Sequence, residues 1–169
     1  MKKFELTNEF VTNMFGTKLF RIRALVEFGD VEAGELGGYV EKESNLGHDD
    51  NAWVYGDARV YDNARVYGDA QVSGDARVSG NARVCGNGDY AYAHGFGSVN
   101  RTTTFFRLKD GGVGVRCGCF YGTLAQFRDK IRETHGETKK AQEYLMLADL
   151  MELRFEEDEN EVGNRKYVE

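Results

Sequence analysis

Apolar residues recur along the middle of the chain with a period of six. Val54, Val60, Val66, Val72, Val78 and Val84 keep that step without a slip, and an alanine stands two residues before each (Ala52, Ala58, Ala64, Ala70, Ala76, Ala82). Residues at i and i+2 of an extended segment point to one side, so each unit is a very short strand with Ala and Val facing inward. From Ala58 onward an outward residue sits between them: Arg59, Arg65, Gln71, Arg77 or Arg83. After each Val come one outward residue and then Gly-Asp, Asp-Asn or Gly-Asn, which is a turn signal. Strands this short cannot pair with themselves in hairpins. They bury their Val and Ala by winding into a coil whose turns stack in parallel. The register extends imperfectly on both sides. Val40 with Ser44, and Leu46 with Asp50, keep the step ahead of a two-residue insertion around "HDDNAW". Downstream, Tyr90 and Phe96 hold the Val phase while Gly88 and His94 hold the Ala phase, which predicts an aromatic plug over the open coil end.

The flanks carry other periods. Within residues 1–30, "KLFRIRAL" alternates, with Phe20, Ile22 and Ala24 on one face, and predicts a β segment feeding the coil at 31–98. Residues 99–155 predict a β-hairpin, strands near Val99–Leu108 and Gly112–Phe120, joined through Asp110-Gly111 as a type I′ pair. Val113, Val115, Cys117 and Cys119 share a face there, which makes both cysteines small core residues. Thr123 with Gln126 is a capping-box signature for a helix that ends at Gly136. A second helix over 138–155 is apolar across a wide arc, wider than one neighbouring helix covers. Tyr144, Leu147, Ala148 and Met151 are its expected oligomer interface. Residues 156–169 read as an acidic tail.

Composition narrows the picture. Twenty-one glycines and no proline leave the turns to Gly, Asn and Asp. A formal net charge of −6 argues against broad binding of duplex nucleic acid, though not against a local basic patch. No apolar run reaches signal-peptide or membrane-spanning length, and three cysteines form no disulfide framework. A reduced, cytoplasmic protein that does not engage a membrane is expected.

The units "VYGDAR", "VYDNAR", "VYGDAQ", "VSGDAR" and "VSGNAR" resemble the hexapeptide-repeat, left-handed β-helix family, which places an aliphatic residue at one position and a small residue four later. The resemblance implies a mainly β protein built on a short left-handed parallel β-helix, three hexapeptides to a triangular coil. Residues eighteen apart then stack, Arg59 with Arg77 and Arg65 with Arg83, while Tyr55, Tyr61 and Tyr67 form one level. Stacked like charges about 4.8 Å apart need anions or carboxylates nearby. Two readings stand: a solvated or subunit-facing surface balanced by Asp57, Asp69 and Asp75, or an Arg/Tyr platform for a phosphate-bearing or acidic partner.

The resemblance also implies candidate chemistry. Many members are homotrimeric acyltransferases with a histidine base, and others hold a metal with three histidines. Only His48, His94 and His135 are present, without the close spacing a metal site needs. His48, between Gly47 and Asp49-Asp50, is the one catalytic candidate, and His94 is assigned to the aromatic plug. No nucleotide-binding fingerprint occurs, and neither a cofactor nor a metal is expected. Over nearly its full length, from "GELGGYVEKESNL" to "CGCFYGTLAQF", the chain resembles bacteriophage and prophage proteins. That likeness implies a phage accessory protein in the bacterial host cytoplasm. The favoured expectation is a non-enzymatic homo-oligomer, a trimer above all, that inhibits a host defence factor or sequesters a phosphorylated or nucleotide signal. An acyltransferase using His48 and a structural oligomerisation module are the alternatives.

Overall fold

In the computed structural model, residues 2–97 and 101–156 are described. The expected hairpin start near Val99 and the tail from 157 onward lie outside them. The chain opens with an antiparallel sheet, β1 (Phe4–Thr12), β2 (Lys18–Ala24) and β3 (Leu36–Val40). Six two-residue strands follow: β4 (Trp53–Val54), β5 (Arg59–Val60), β6 (Arg65–Val66), β7 (Gln71–Val72), β8 (Arg77–Val78) and β9 (Arg83–Val84). β4 pairs with β7, β5 with β8 and β6 with β9, all parallel and all offset by eighteen residues. Two residues cannot hold a strand alone. Each rung instead hangs from the next by main-chain bonds such as Arg59 N–H to the Ala76 carbonyl (2.9 Å) and Tyr61 N–H to the Val78 carbonyl (3.0 Å). The inward valines and alanines of the repeat are buried to 1% exposure or less.

The two-residue insertion falls where the pattern puts it. Val40 pairs with Val60 and Leu46 bridges Val66, each twenty residues on, whereas Trp53 pairs with Gln71, eighteen on. At the corners Gly56, Gly68, Gly74 and Gly80 take φ between +59° and +65°, and Asp62 takes the same left-handed conformation at +56°. A side chain there costs about 1–2 kcal/mol, least for Asp and Asn, so the repeat's "VYD" variant is the one non-glycine corner.

Both ends of this solenoid are closed by antiparallel sheets. At the first end Phe4, Ile22, Ala24 and Trp53 pack on the coil core; at the other, Tyr90 and Phe106 do. The plug therefore differs from the expected one: Phe96 and His94 are exposed, and His94 Nδ1 lies 2.9 Å from Thr102 Oγ1. After Cys85 the chain leaves the six-residue period through a 3-10 turn at Asn87–Asp89 and enters β10 (Tyr90–His94). That strand, expected in the coil, pairs with β11 (Thr102–Arg107), which continues to β12 (Val113–Cys117) and β13 (Phe120–Thr123) in one antiparallel sheet. Period-two alternation now rules: Phe106 faces the solenoid core, and its neighbour Phe105 faces the other way, onto the helices.

The β11–β12 turn is also different in kind. Only Gly111 has positive φ (+91°), with Asp110 ordinary, so it is a three-residue loop closed by Gly111 N–H to the Leu108 carbonyl (2.9 Å) rather than a type I′ turn. Cys117 is buried but Cys119 is exposed, because β12 ends at Cys117 and the chain turns at Gly118. The helices α1 (Leu124–His135) and α2 (Lys139–Phe155) cover the sheet's far face. Thr123 and Gln126 cap α1 reciprocally, and Gly136 ends it at φ +59°. Among the described residues no helix is long and apolar enough to cross a membrane.

Candidate anion-binding groove

Each outward arginine of the repeat sits between an inward Ala and an inward Val, so the ladder stacks them by necessity: Arg65 over Arg83, and Arg59 over Arg77. Two such charges about 5 Å apart repel by roughly 3 kcal/mol at an effective dielectric of 20. Something must offset that.

On the β6/β9 side the offset is main-chain oxygen. Arg83 is 7% exposed, and its Nη1 donates to the carbonyls of Asn63 and Ala82, both at 2.9 Å. Its Nε is buried and has no hydrogen-bond partner among the described residues. Burial, and after it the charge of Arg65, pulls the Arg83 guanidinium below its ordinary pKa. The two arginines face a cavity of about 840 Å³ that Lys42, Lys109, Asn63, Asn81 and Tyr121 also line. Lys42 Nζ donates to Asn63 Oδ1 (3.3 Å), and Lys109 is fixed by its N–H on the Asn81 carbonyl (3.0 Å). One carboxylate, Asp110, joins the four cations, and its Oδ1 already accepts the Gly112 N–H at 2.8 Å. In a chain of net charge −6 this is a concentrated positive groove. Its size matches pockets that hold small organic ligands.

On the β5/β8 side both arginines are half-buried. Arg77 Nη1 donates to the carbonyls of Asp75 (2.6 Å), Asp57 (3.3 Å) and Ala76 (3.4 Å), and burial, then Arg59, lowers its pKa. The tyrosines take separate sides of the coil. Tyr61 is 4% exposed and packs with Leu19 and Tyr39 under the N-terminal sheet. Tyr67 is half-buried. Tyr55 is half-buried too, and desolvation, then Glu35 and Asp30, raises its pKa.

His48 lies against Lys3 and Phe4 at the first end of the coil. Its Nδ1 accepts the Lys3 N–H (3.1 Å) and its ring stacks on Phe4, centroids 4.3 Å apart. A neutral imidazole whose Nδ1 accepts must carry its proton on Nε2, which points toward Glu43 at 3.9 Å. Among the described residues no group of three or more His, Cys, Asp or Glu side chains is placed to hold a metal ion. On α2, Tyr144, Ala148 and Met151 are buried within the chain against α1 and the sheet, and Leu147 packs partly on the same cluster. The arc left outward is Met146, Leu150 and Leu153.

Lys42 and Lys109 escape the repeat pattern. Lys42 aligns with the Asp62 corner once the two-residue insertion is allowed for, a signal present in the chain. Lys109 reaches the groove only because the β11–β12 turn folds back onto Asn81, which no local spacing announces.

Three windows of the coil, residues 52–68, 58–74 and 70–86, match the model of the YdcK Beta solenoid repeat. No curated protein matches the chain. The central tract is thus a β-solenoid repeat, in agreement with its parallel ladders, and the match does not extend to the capping sheets or the helices.

Proposed function

We propose that this protein is a non-catalytic binding protein that takes a phosphate-bearing ligand, a nucleotide above all, in the groove between Arg65, Arg83, Lys42 and Lys109. The observation that carries this reading is the direct register of Arg65 and Arg83 at the floor of a cavity that two further lysines face. A guanidinium fork such as that of Arg83, held by two carbonyls, favours phosphate over a diffuse counterion cloud. The likeness to phage proteins supplies the setting: an accessory protein that sequesters a phosphorylated signal or blocks a host factor. We read the solenoid as left-handed and triangular, on the hexapeptide pattern and the three parallel ladders, and the assembly as a homotrimer, on the exposed Met146, Leu150 and Leu153. Light scattering that returns a monomer would remove the trimer.

The test is a thermal-shift panel of ADP, inorganic pyrophosphate and, as a neutral control, adenosine. ADP and pyrophosphate raise the melting temperature of the wild type and not of Arg65→Gln with Lys109→Ala. If no phosphorylated compound protects the wild type, the row is a solvated face and the structural reading of the solenoid takes its place.

A further inference from the structure

A second cavity, of about 230 Å³, lies on the β5/β8 side and is lined by Arg59, Arg77 and Arg116 together with Tyr61, Thr102 and Gly118. Arg116 comes from β12, outside the repeat, and the capping sheet carries it against the solenoid. It is 7% exposed. Its Nε donates to Ser79 Oγ at 2.9 Å, and its guanidinium lies over the rings of Tyr121 (4.8 Å), Phe15 (5.2 Å) and Tyr61 (5.7 Å). Arg77 is oriented by three carbonyls, as above. Arg59 is held in register with it, and its Nε is buried without a hydrogen-bond partner among the described residues. Arg101 stands close by: a Cβ on Gly118 would come within 2.9 Å of its guanidinium carbon.

Against these cations the nearby carboxylates are few. Asp62 reaches Arg116 at 3.5 Å while also accepting the Gly80 N–H, and Asp57 and Asp75 act on Arg77. Three arginines therefore line one small space, with the Arg77 guanidinium oriented by carbonyls and that of Arg116 by ring faces and a hydroxyl. The lining adds a hydroxyl, Thr102, which also pairs with His94 Nδ1, and no carboxylate. The volume is below that of cavities that take drug-sized molecules and suits a compact group.

We propose that this pocket binds a single tetrahedral oxyanion, a phosphate, held by Arg59, Arg77 and Arg116. The site stands apart from the Arg65/Arg83 groove and does not depend on a ligand there. Planar guanidinium forks match phosphate oxygens in pairs, and burial strengthens each bond.

The experiment follows arginine Nε–H resonances by NMR, with calorimetry alongside, in the full chain titrated with orthophosphate, phosphoserine and, as the isosteric control, sulfate. Arg59→Gln is the main variant, since among the described residues no hydrogen bond is made by the Arg59 Nε; Arg116→Lys keeps the charge and removes the fork. Orthophosphate is expected to shift the Arg59 and Arg116 signals, with affinity about tenfold weaker in Arg59→Gln and unchanged in Arg65→Gln. Binding of phosphoserine as well identifies a phosphomonoester as the occupant, and orthophosphate alone identifies the free ion. Orthophosphate that leaves these signals unmoved, or binds Arg59→Gln as tightly as the wild type, overturns the proposal. Loss in Arg65→Gln with retention in Arg59→Gln would place the anion in the groove instead, and overturns it too.

Discussion

Asp62 accepts a hydrogen bond from the backbone N–H of Gly80, 3.0 Å away and eighteen residues further along the solenoid. Asp62 in turn donates its own N–H to Glu41 Oε1 at 2.8 Å, and Asp50 does for Gly68 what Asp62 does for Gly80 (2.7 Å). Carboxylates thus satisfy corner N–H groups that the two-residue strands do not reach. Asp62→Ala keeps the strained backbone at φ +56° and leaves both the Gly80 N–H and Arg116 short of an acceptor. A loss of about 1–3 kcal/mol is expected by urea unfolding, and Asp62→Asn should lose less.

Lys3 is buried at the first end of the coil, and its Nζ donates to the Ala52 carbonyl (2.7 Å), the Asp50 carbonyl (3.0 Å) and Asp50 Oδ1 (3.3 Å). Burial pulls its ammonium below the ordinary 10.5, against the opposing pull of Asp50 and Asp49. The folded chain then binds fewer protons than the unfolded one between the lowered value and 10.5. Stability from this group therefore rises with pH across that window and is constant below it. Lys3→Met is expected to cost about 2–3 kcal/mol near neutrality, since it leaves the Asp50 and Ala52 acceptors without their donor. It should also flatten the rise in urea midpoint on the alkaline side.

Phe106 and Phe105 are adjacent and both fully buried, yet they belong to different cores. Truncating Phe106 to alanine opens the end of the solenoid and is expected to cost about 3–5 kcal/mol. Phe105→Ala, of similar cost, should instead loosen the helices. Hydrogen exchange separates the two: faster exchange at β8 and β9 amides in the first variant, at α1 and α2 in the second.

The thiols make a simpler check. Cys119 is exposed while Cys117 is buried with its Sγ accepting from Thr103 Oγ1 at 3.2 Å. Cys85 Sγ is engaged with Asp89 at 3.1 Å. A thiol reagent is expected to modify Cys119 first in the folded protein, and Cys119→Ser should remove the fast phase.

The solenoid was legible because its valines and alanines face one core with an unbroken period, and because Gly or Asp recurs where the corner demands positive φ. Thr123, Gln126 and Gly136 marked α1 for equally local reasons. What local spacing could not reveal was which outward residues the rest of the chain would cover. Tyr61 reads as exposed from its phase and is buried because β2 and β3 lie on it. Phe96 has the Val phase, but the chain has already left the coil, and Phe106 fills the end from another strand. Lys3 looks like a solvated terminal lysine until the insertion after Leu46 turns two carbonyls toward it. Arg116 is one polar residue in a hairpin, and only the docking of that sheet brings it beside Arg59 and Arg77.

Under the proposed function, the groove lined by Arg65 and Arg83 holds phosphate. Calorimetric titration of pyrophosphate into the wild type and into Arg65→Gln, each at low and at high salt, tests it most directly. Saturable binding to the wild type that weakens as salt rises is expected, with a loss of about tenfold or more in Arg65→Gln, the worth of one charge-assisted hydrogen bond. Equal heats in the two proteins, or none in either, would contradict it.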